Sequence, residues 1–258
     1  MTTEQAIERL TFAEIADDLG DPSDARVLTL PGGLVDADGA VHRRLRVREL
    51  NGADEEALFD RRAGSDAKRV SVFLARVIES VDGIRAPVEP ALAERLSIGD
   101  RDYLLLRLRQ LDLGDAIHQV ARCPSCARKV DVDFAISELP LRRLERPQAA
   151  YDIEIAGHRL RVRLPNGADQ TAIEGDAADN PAAANSALFA RVVLDIDGEG
   201  PPSEDDTRAW PIALRARLAE WLDANAPGPD LFIDIGCPYC GADMSYRFDL
   251  DAFFLPSA

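Results

Sequence analysis

Arg44-Leu45-Arg46-Val47-Arg48, followed by Asn51-Gly52-Ala53-Asp54, returns 115 residues later as Arg159-Leu160-Arg161-Val162-Arg163 and Asn166-Gly167-Ala168-Asp169. Further matches hold that register: Ala75-Arg76-Val77 with Ala190-Arg191-Val192, and Asp82-Gly83 with Asp197-Gly198. The chain's four cysteines repeat at a displacement of 114, Cys123-Pro124-Ser125-Cys126 with Cys237-Pro238-Tyr239-Cys240, and Leu139-Pro140 and Leu255-Pro256 close each run at 116. Self-similarity at one long period marks a repeated supersecondary unit. The expected fold is α+β: an internally duplicated unit of β-hairpin, helices, and strand, Cys-Pro-X-Cys knuckle and strand.

Local patterns fill in that unit. The first copy opens with a strand at 27–30, a Pro31-Gly32-Gly33 turn, a second turn at 36–39 and a strand at 45–47. The second does so more compactly, with Tyr151, Ile153 and Ile155 alternating before Ala156-Gly157 and then Leu160 and Val162. Each Asn-Gly-Ala-Asp reads as a helix start, with Asp54 and Asp169 accepting first-turn N–H groups; a helix cap is the plain explanation and a binding site the sharper one. Val70, Phe73, Leu74, Val77, Ile78 and Val81 recur at helical spacing, as do Leu188, Val192 and Ile196, and Gly83 and Gly198 are expected to end these helices. A further helix spans about 100–113, and its counterpart carries Trp210, Leu214, Leu218, Trp221 and Leu222, the tryptophans filling a core between the copies. After the knuckles, Val130, Val132, Phe134 and Ile136 alternate in the first copy, and Met244, Tyr246, Phe248 and Leu250 in the second.

The expected organisation is an N-terminal helical arm over 1–26, a first repeat over 27–141, an exposed linker over 142–150 and a second repeat over 151–258. The arm, helical from Thr3 to about Asp18 and broken by Gly20-Asp21-Pro22-Ser23, has no counterpart in the second copy. It either caps the core or straps a neighbouring subunit.

Each Cys-Pro-X-Cys turn aims two sulfurs at one point, so two turns supply the four thiolates of a tetrahedral zinc site: Cys123, Cys126, Cys237 and Cys240. Such a site is coordinatively closed and structural, and clasps the two copies. Gly241 follows the second pair as a knuckle prefers, whereas Ala127 follows the first. Arg122, Arg128 and Lys129 stand where they offset the double negative charge of four thiolates on a divalent ion. Thiol-disulfide exchange is the rival reading, but its motif sits at a helix N-terminus, and both motifs here lie between strands. A disulfide scaffold is the third; reduced thiols in a cytoplasmic protein favour the metal.

Composition narrows the function. Net charge is −16 with a pI near 4.6, which disfavours nucleic acid and anionic membrane as partners because phosphate contacts need clustered Lys and Arg. Hydrophobic content of 46% suffices for a core. No stretch approaches the roughly 20 apolar residues of a membrane helix, and the N-terminus lacks a secretory pattern. His42, His118 and His158 stand at no ligand spacing from a cysteine, and His158 in a hairpin and His42 beside one are expected at the surface. No phosphate loop, nucleophile elbow or carboxylate pair emerges, so neither an enzyme nor a small-molecule substrate is expected.

The chain resembles phage-tail and contractile-injection-system proteins related to the T-even phage baseplate hub assembly proteins. The likeness rests on Leu30-Pro31-Gly32-Gly33-Leu34, the run from Arg46 to Glu55, Leu111-Asp112-Leu113-Gly114-Asp115, and Cys123 to Cys126 continuing into 130–140. It implies a non-enzymatic baseplate component or assembly factor, made in the bacterial cytoplasm, whose partners are other baseplate, tube or spike proteins. Two alternatives stay open: a zinc-ribbon adaptor for nucleic acid or transcription machinery, whose most basic stretch would be Arg43 to Arg48, and a thiol oxidoreductase.

Overall fold

Asn51 and Asn166 each end an extended segment and start a helix, and the elements around each follow in a similar order, hairpin, two helices, short strand, two helices and hairpin, with a short extra strand before the last hairpin of the second run. In the computed structural model, which describes residues 7–17, 24–84 and 87–247, the N-terminal part forms β1 (Ile7–Thr11) and α1 (Phe12–Asp17). The first half continues with β2 (Val27–Val35), β3 (Val41–Val47), α2 (Gly52–Phe59), α3 (Asp66–Val77), β4 (Ile78–Val81), α4 (Pro90–Arg95), α5 (Ile98–Leu113), β5 (Ala116–Arg122) and β6 (Lys129–Ala135). A 3-10 turn, Ile136–Glu138, leads to β7 (Pro140–Leu144). The second half contains β8 (Tyr151–Ile155), β9 (His158–Val162), α6 (Gly167–Asp179), α7 (Pro181–Val192), β10 (Val193–Ile196), α8 (Glu204–Ala209), α9 (Ile212–Asn225), β11 (Gly228–Pro229), β12 (Phe232–Gly236) and β13 (Asp243–Arg247). The fold is α+β, with antiparallel sheets β2-β3-β4 and β10-β9-β8, a mixed-origin sheet β1-β7-β11, and hairpins β5-β6 and β12-β13.

Four sequence expectations are corrected. The arm is not one helix: Ile7–Thr11 pairs with β7, and the helix starts only after Thr11, whose hydroxyl accepts from the Glu14 N–H while Glu14 accepts from the Thr11 N–H. That reciprocal cap ends the extended stretch; residues 1–6 and 18–23 lie outside the described residues. Pro31-Gly32-Gly33 does not turn the chain but sits in a continuous β2, where pairing with β3 shifts between Thr29 and Leu34 and the Gly32 N–H donates instead to Asp100 of α5 at 2.7 Å. The long helices stop at Val77 and Val192 rather than at the glycines. The β-branched Ile78, Val81, Val193 and Ile196 then take up ladder bonds with β3 and β9, and Gly83 and Gly198, both at positive φ, lie in the turns beyond. The tryptophans pack not between the halves but within the second: Trp221 tilts against Tyr151 at 5.8 Å and Trp210 stacks on Phe189 at 6.3 Å.

Of the stretch 142–150, read as an exposed linker, Arg142 to Leu144 belong to β7 with Leu144 buried, and the residues from Glu145 onward are exposed or half-exposed. The second-half strand expected to run on to Leu250 is described as far as Arg247.

Two main cores follow. The larger gathers Phe12, Leu28, Leu45, Phe73, Leu104 and Leu108, and draws in Leu231, Ile233 and Tyr246 from the far end of the chain. The smaller joins the inner face of β8 and β9 to Phe189, Val192, Leu214, Leu218 and Leu222. Between them the halves meet through one side-chain cap and one close backbone approach. Glu174 of α6 reaches across to cap α3, accepting from the N–H groups of Asp66 at 2.7 Å and Ala67 at 3.0 Å. Gly99 at the start of α5 lies against the Pro227-Gly228 turn, so closely that a Cβ there would fall 1.7 Å from the Pro227 carbonyl oxygen.

Because that obstacle is backbone, Gly99→Ala is expected to destabilise by about 3 kcal/mol or more and lower Tm by roughly 6–12 °C. Gly175→Ala, in α6 with nothing within 4 Å of the new methyl, should stabilise by about 0.5–1 kcal/mol. Thermal denaturation of the two variants checks the contrast.

Candidate metal centre

Each Cys-Pro-X-Cys run turns between the strands of a hairpin, β5-β6 or β12-β13. The turns are closed by the same two bonds. The Cys123 N–H donates to Arg128 O and the Ala127 N–H to Cys123 O, both at 2.9 Å; the Cys237 N–H donates to Ala242 O and the Gly241 N–H to Cys237 O, also both at 2.9 Å. That closure requires a left-handed residue one place past the second cysteine. Gly241 supplies it at φ 71°, and Ala127, despite its Cβ, supplies it at φ 59°. The departure noted at Ala127 therefore changes the strain and not the shape.

The two hairpins lie with their knuckles facing. All four Sγ atoms fall within 4.8 Å of one another. Cys123 Sγ is 3.8 Å from Cys240 Sγ and Cys126 Sγ is 3.7 Å from Cys237 Sγ. A tetrahedral ion with metal–sulfur bonds of about 2.3 Å has sulfur–sulfur edges of about 3.8 Å, which the two pairs match, so the four cysteines could hold a metal ion. Cys123 and Cys237 are buried within a small apolar cluster with Ala121, Val130, Val132 and Met244. The Tyr246 hydroxyl, donating to Gln119 at 3.0 Å, and the Arg128 guanidinium, 4.9 Å from the centre of the Tyr239 ring, hold one hairpin to the other.

Without an ion the sulfurs compete for charge. The Cys126 and Ser125 N–H groups pull the Cys123 thiol down to about 6. The Arg128 N–H acts in the same sense on Cys126, but burial and three neighbouring sulfurs outweigh it and push that thiol up to about 11. Four thiolates in so small a volume need a cation; the donor set fits one and can hold a metal. The histidines take no part: His42 bonds Asp36 and the Asp82 carbonyl, both at 2.8 Å, and His118 and His158 bond Asp133 and Asp197, both at 2.7 Å. His42, expected at the surface, has a side chain only 11% exposed.

Sequence reasoning missed a second repeated cluster, although its letters lie inside the repeat. Asp54, fully buried, accepts from Arg48 at 2.6 and 2.7 Å, from Arg76 at 3.1 Å and from the Asn51 N–H at 3.1 Å. Asp169, equally buried, accepts from Arg163 at 2.6 and 2.8 Å, Arg191 at 2.8 Å and the Asn166 N–H at 3.0 Å. The expected cap is thus divided. Asn51 and Asn166 cap the helices, while each aspartate closes the box and gathers two arginines, one from the preceding strand and one from the next long helix. Arg48 first, then the Asn51 N–H and Arg76, hold Asp54 at about 2 against burial. Burial opposes ionisation of Asp169 as well, and Arg163, the Asn166 N–H and Arg191 overcome it.

With this geometry in view, the comparison with protein families is specific. Residues 40–255 match the family described as T4 bacteriophage base plate protein, and the chain belongs to that family. No curated protein and no solved structure matches the chain.

Ala127→Gly is expected to remove the left-handed strain and stabilise the chain by about 0.5–1 kcal/mol, read as a rise in Tm. Asp54 titrates lower in the folded than in the unfolded chain, 3.8 falling to about 2. Its contribution is therefore complete above about pH 4 and lost as pH falls through about 2. Asp54→Ala, which strands Arg48 and Arg76, should cost about 3 kcal/mol at pH 7 and flatten the acid limb of stability against pH.

Proposed function

We propose that this chain is a non-enzymatic structural or assembly component of the baseplate of a phage tail or related contractile injection system, made in the bacterial cytoplasm and positioning neighbouring subunits of the particle. The family match over 40–255 carries that reading. The partners are other baseplate, tube or spike proteins, with no nucleic acid, membrane or small-molecule substrate required. Among the described residues no helix is long and apolar enough to cross a membrane.

The body that does this positioning is read as two diverged copies of one unit, 27–141 and 151–258. The twin Arg-Asp-Arg clusters and twin knuckle closures support it. So do the matched edge bonds, Asp82 N–H to Arg44 O and Asp197 N–H to Arg159 O, both at 2.8 Å. Cys123, Cys126, Cys237 and Cys240 hold one structural zinc, which joins the hairpin of one copy to that of the other. Its binding free energy, on the order of 10 kcal/mol in small zinc peptides, adds directly to the stability of the joined form.

The nucleic-acid alternative loses its best stretch. In the run from Arg43 to Arg48, Arg44 faces Asp82, Arg46 faces Asp24 and Arg48 faces Asp54, while Arg43 bonds the Leu144 carbonyl. Redox exchange lacks its usual setting, since each motif lies between strands.

Metal analysis of the purified chain should give about one zinc per chain and four thiols unreactive until chelator is added, with Tm falling on zinc removal. Cys237→Ser should abolish stoichiometric zinc. Isolation of the tagged chain from a host making the whole particle should bring down tail proteins; recovery of the chain alone, with a turnover activity, would overturn the structural role.

A further inference from the structure

The junction between the halves has a direction. On the first-half side it presents the turn into α5, where Leu96 O accepts from the Gly167 N–H at 3.1 Å and the Ile98 N–H donates to Pro165 O at 3.4 Å. Arg101, one turn further along, is 1% exposed, and Gly167 lies so close over its guanidinium that a Cβ there would collide with it. Beside these contacts Gly99 meets Pro227 and Gly228. The second-half side is a different surface, made of the start of α6 and the turn at Pro227. A contact between unlike surfaces is heterologous, so it leaves one surface of each kind unused, the first kind on the second half and the second kind on the first.

Both unused surfaces are built and open. Arg101 donates to Ala67 O at 2.7 Å and Ala93 O at 3.1 Å; Arg215, its counterpart, donates to Ala182 O at 3.0 Å and Thr207 O at 2.6 Å, and the Ser71 and Ser186 hydroxyls donate to Ala67 O and Ala182 O alike. The turn into α9 therefore has the build of the turn into α5, without its cover. Ile212, in the place of Ile98, is 78% exposed, and Ala182 is exposed and Arg215 half-exposed where Ala67 and Arg101 are buried. The start of α2 is open too: Gly52, in the place of Gly167, has nothing within 4 Å of a Cβ, and Leu113, in the place of Pro227, is 56% exposed. Among the described residues the N–H groups of Gly52 and Ile212 and the carbonyls of Leu50 and Trp210 have no hydrogen-bond partner, and they are the counterparts of the four groups that bond across the internal junction.

We infer that these two surfaces bind each other between copies of this chain, the turn into α9 of one copy receiving the start of α2 of the next. The inference rests on the two-copy reading of the chain. The occupant is a second copy because the chain itself carries the matching surface, in the build that already fills the equivalent place within it. Charge agrees: Glu55, exposed in the place of Gln170, brings a carboxylate toward Arg215, whose two hydrogen bonds go to carbonyl oxygens. One residue sets the two contacts apart. Ala213 stands where the first half has Gly99, and its methyl prevents an equally close approach to the turn at Leu113-Gly114. The contact between copies is therefore looser than the one within the chain, and assembly is reversible. Repeated head to tail, it builds a ring or an open filament and not a closed dimer.

Sedimentation velocity of the full chain over a concentration series should show species larger than a dimer that grow with concentration. Ile212→Arg and Gly52→Arg each block one surface and should each weaken association at least about tenfold. Mixed together, the two variants keep one intact and complementary surface apiece, and should form a one-to-one pair that grows no further. Ala213→Gly, which restores the residue of the internal junction, should tighten association about tenfold. Ile212 and Gly52 are exposed, so both arginine variants should keep the Tm and metal content of the parent; Ala182→Glu and Glu55→Arg replace them if either does not fold. A chain that stays monomeric at every concentration would overturn the assignment. So would a discrete dimer lost in Ile212→Arg and kept in Gly52→Arg, the mark of a two-fold contact through Ile212, or a mixture of the two variants that forms no pair. None of these outcomes alters zinc content or the recovery of tail proteins, which test the function proposed above.

Discussion

Four sulfur atoms converge from hairpins more than a hundred residues apart, and that convergence constrains everything around it. Thiolates this close repel one another, so the arrangement stands only if a cation fills the centre or most of the thiols stay protonated. Either way the two hairpins must be delivered face to face by the rest of the fold. The contacts between the halves do this: the α3 cap from Glu174, the Gly99–Gly228 approach, and the burial of Leu231 and Tyr246 against the first core. One is a carboxylate capping a helix, one a backbone-to-backbone approach and one side-chain burial, so the angle between the halves is fixed by several kinds of contact at once.

Each half is stiffened from within by a buried carboxylate. Asp54 and Asp169 each tie the exit of a hairpin, the start of one helix and the side of the next long helix. A lone buried acid would be costly, and two arginines plus a backbone N–H make it stable. Such a cluster tolerates little displacement, because moving any element leaves a charge without its partners.

Among the described residues the two cores are built differently. The first core is completed by chain arriving from both ends, through Phe12 and Ile15 of α1 and Leu231 after β11. The second has only its own helices and hairpin among the described residues.

What the sequence determined by itself was whatever depends on short spacing or on a repeated register. The alternating strands at 151–162, the helix starts after Asn51 and Asn166 and the two knuckles lie in local pattern, and the matched register of the two cysteine pairs pointed to one shared site. Only the tertiary structure decided where competing local preferences resolved. Ile78 and Val193 continue a helical period but turn to strand because β3 and β9 offer them ladder bonds. Gly32 forgoes a turn because Asp100, 68 residues away, accepts its N–H. Ile7–Thr11 is amphipathic enough for a helix yet pairs with β7, a strand lying more than a hundred residues along the chain. In each case a long-range hydrogen-bond partner outweighs a propensity worth only a fraction of a kcal/mol per residue, and no local stretch of sequence contains that partner.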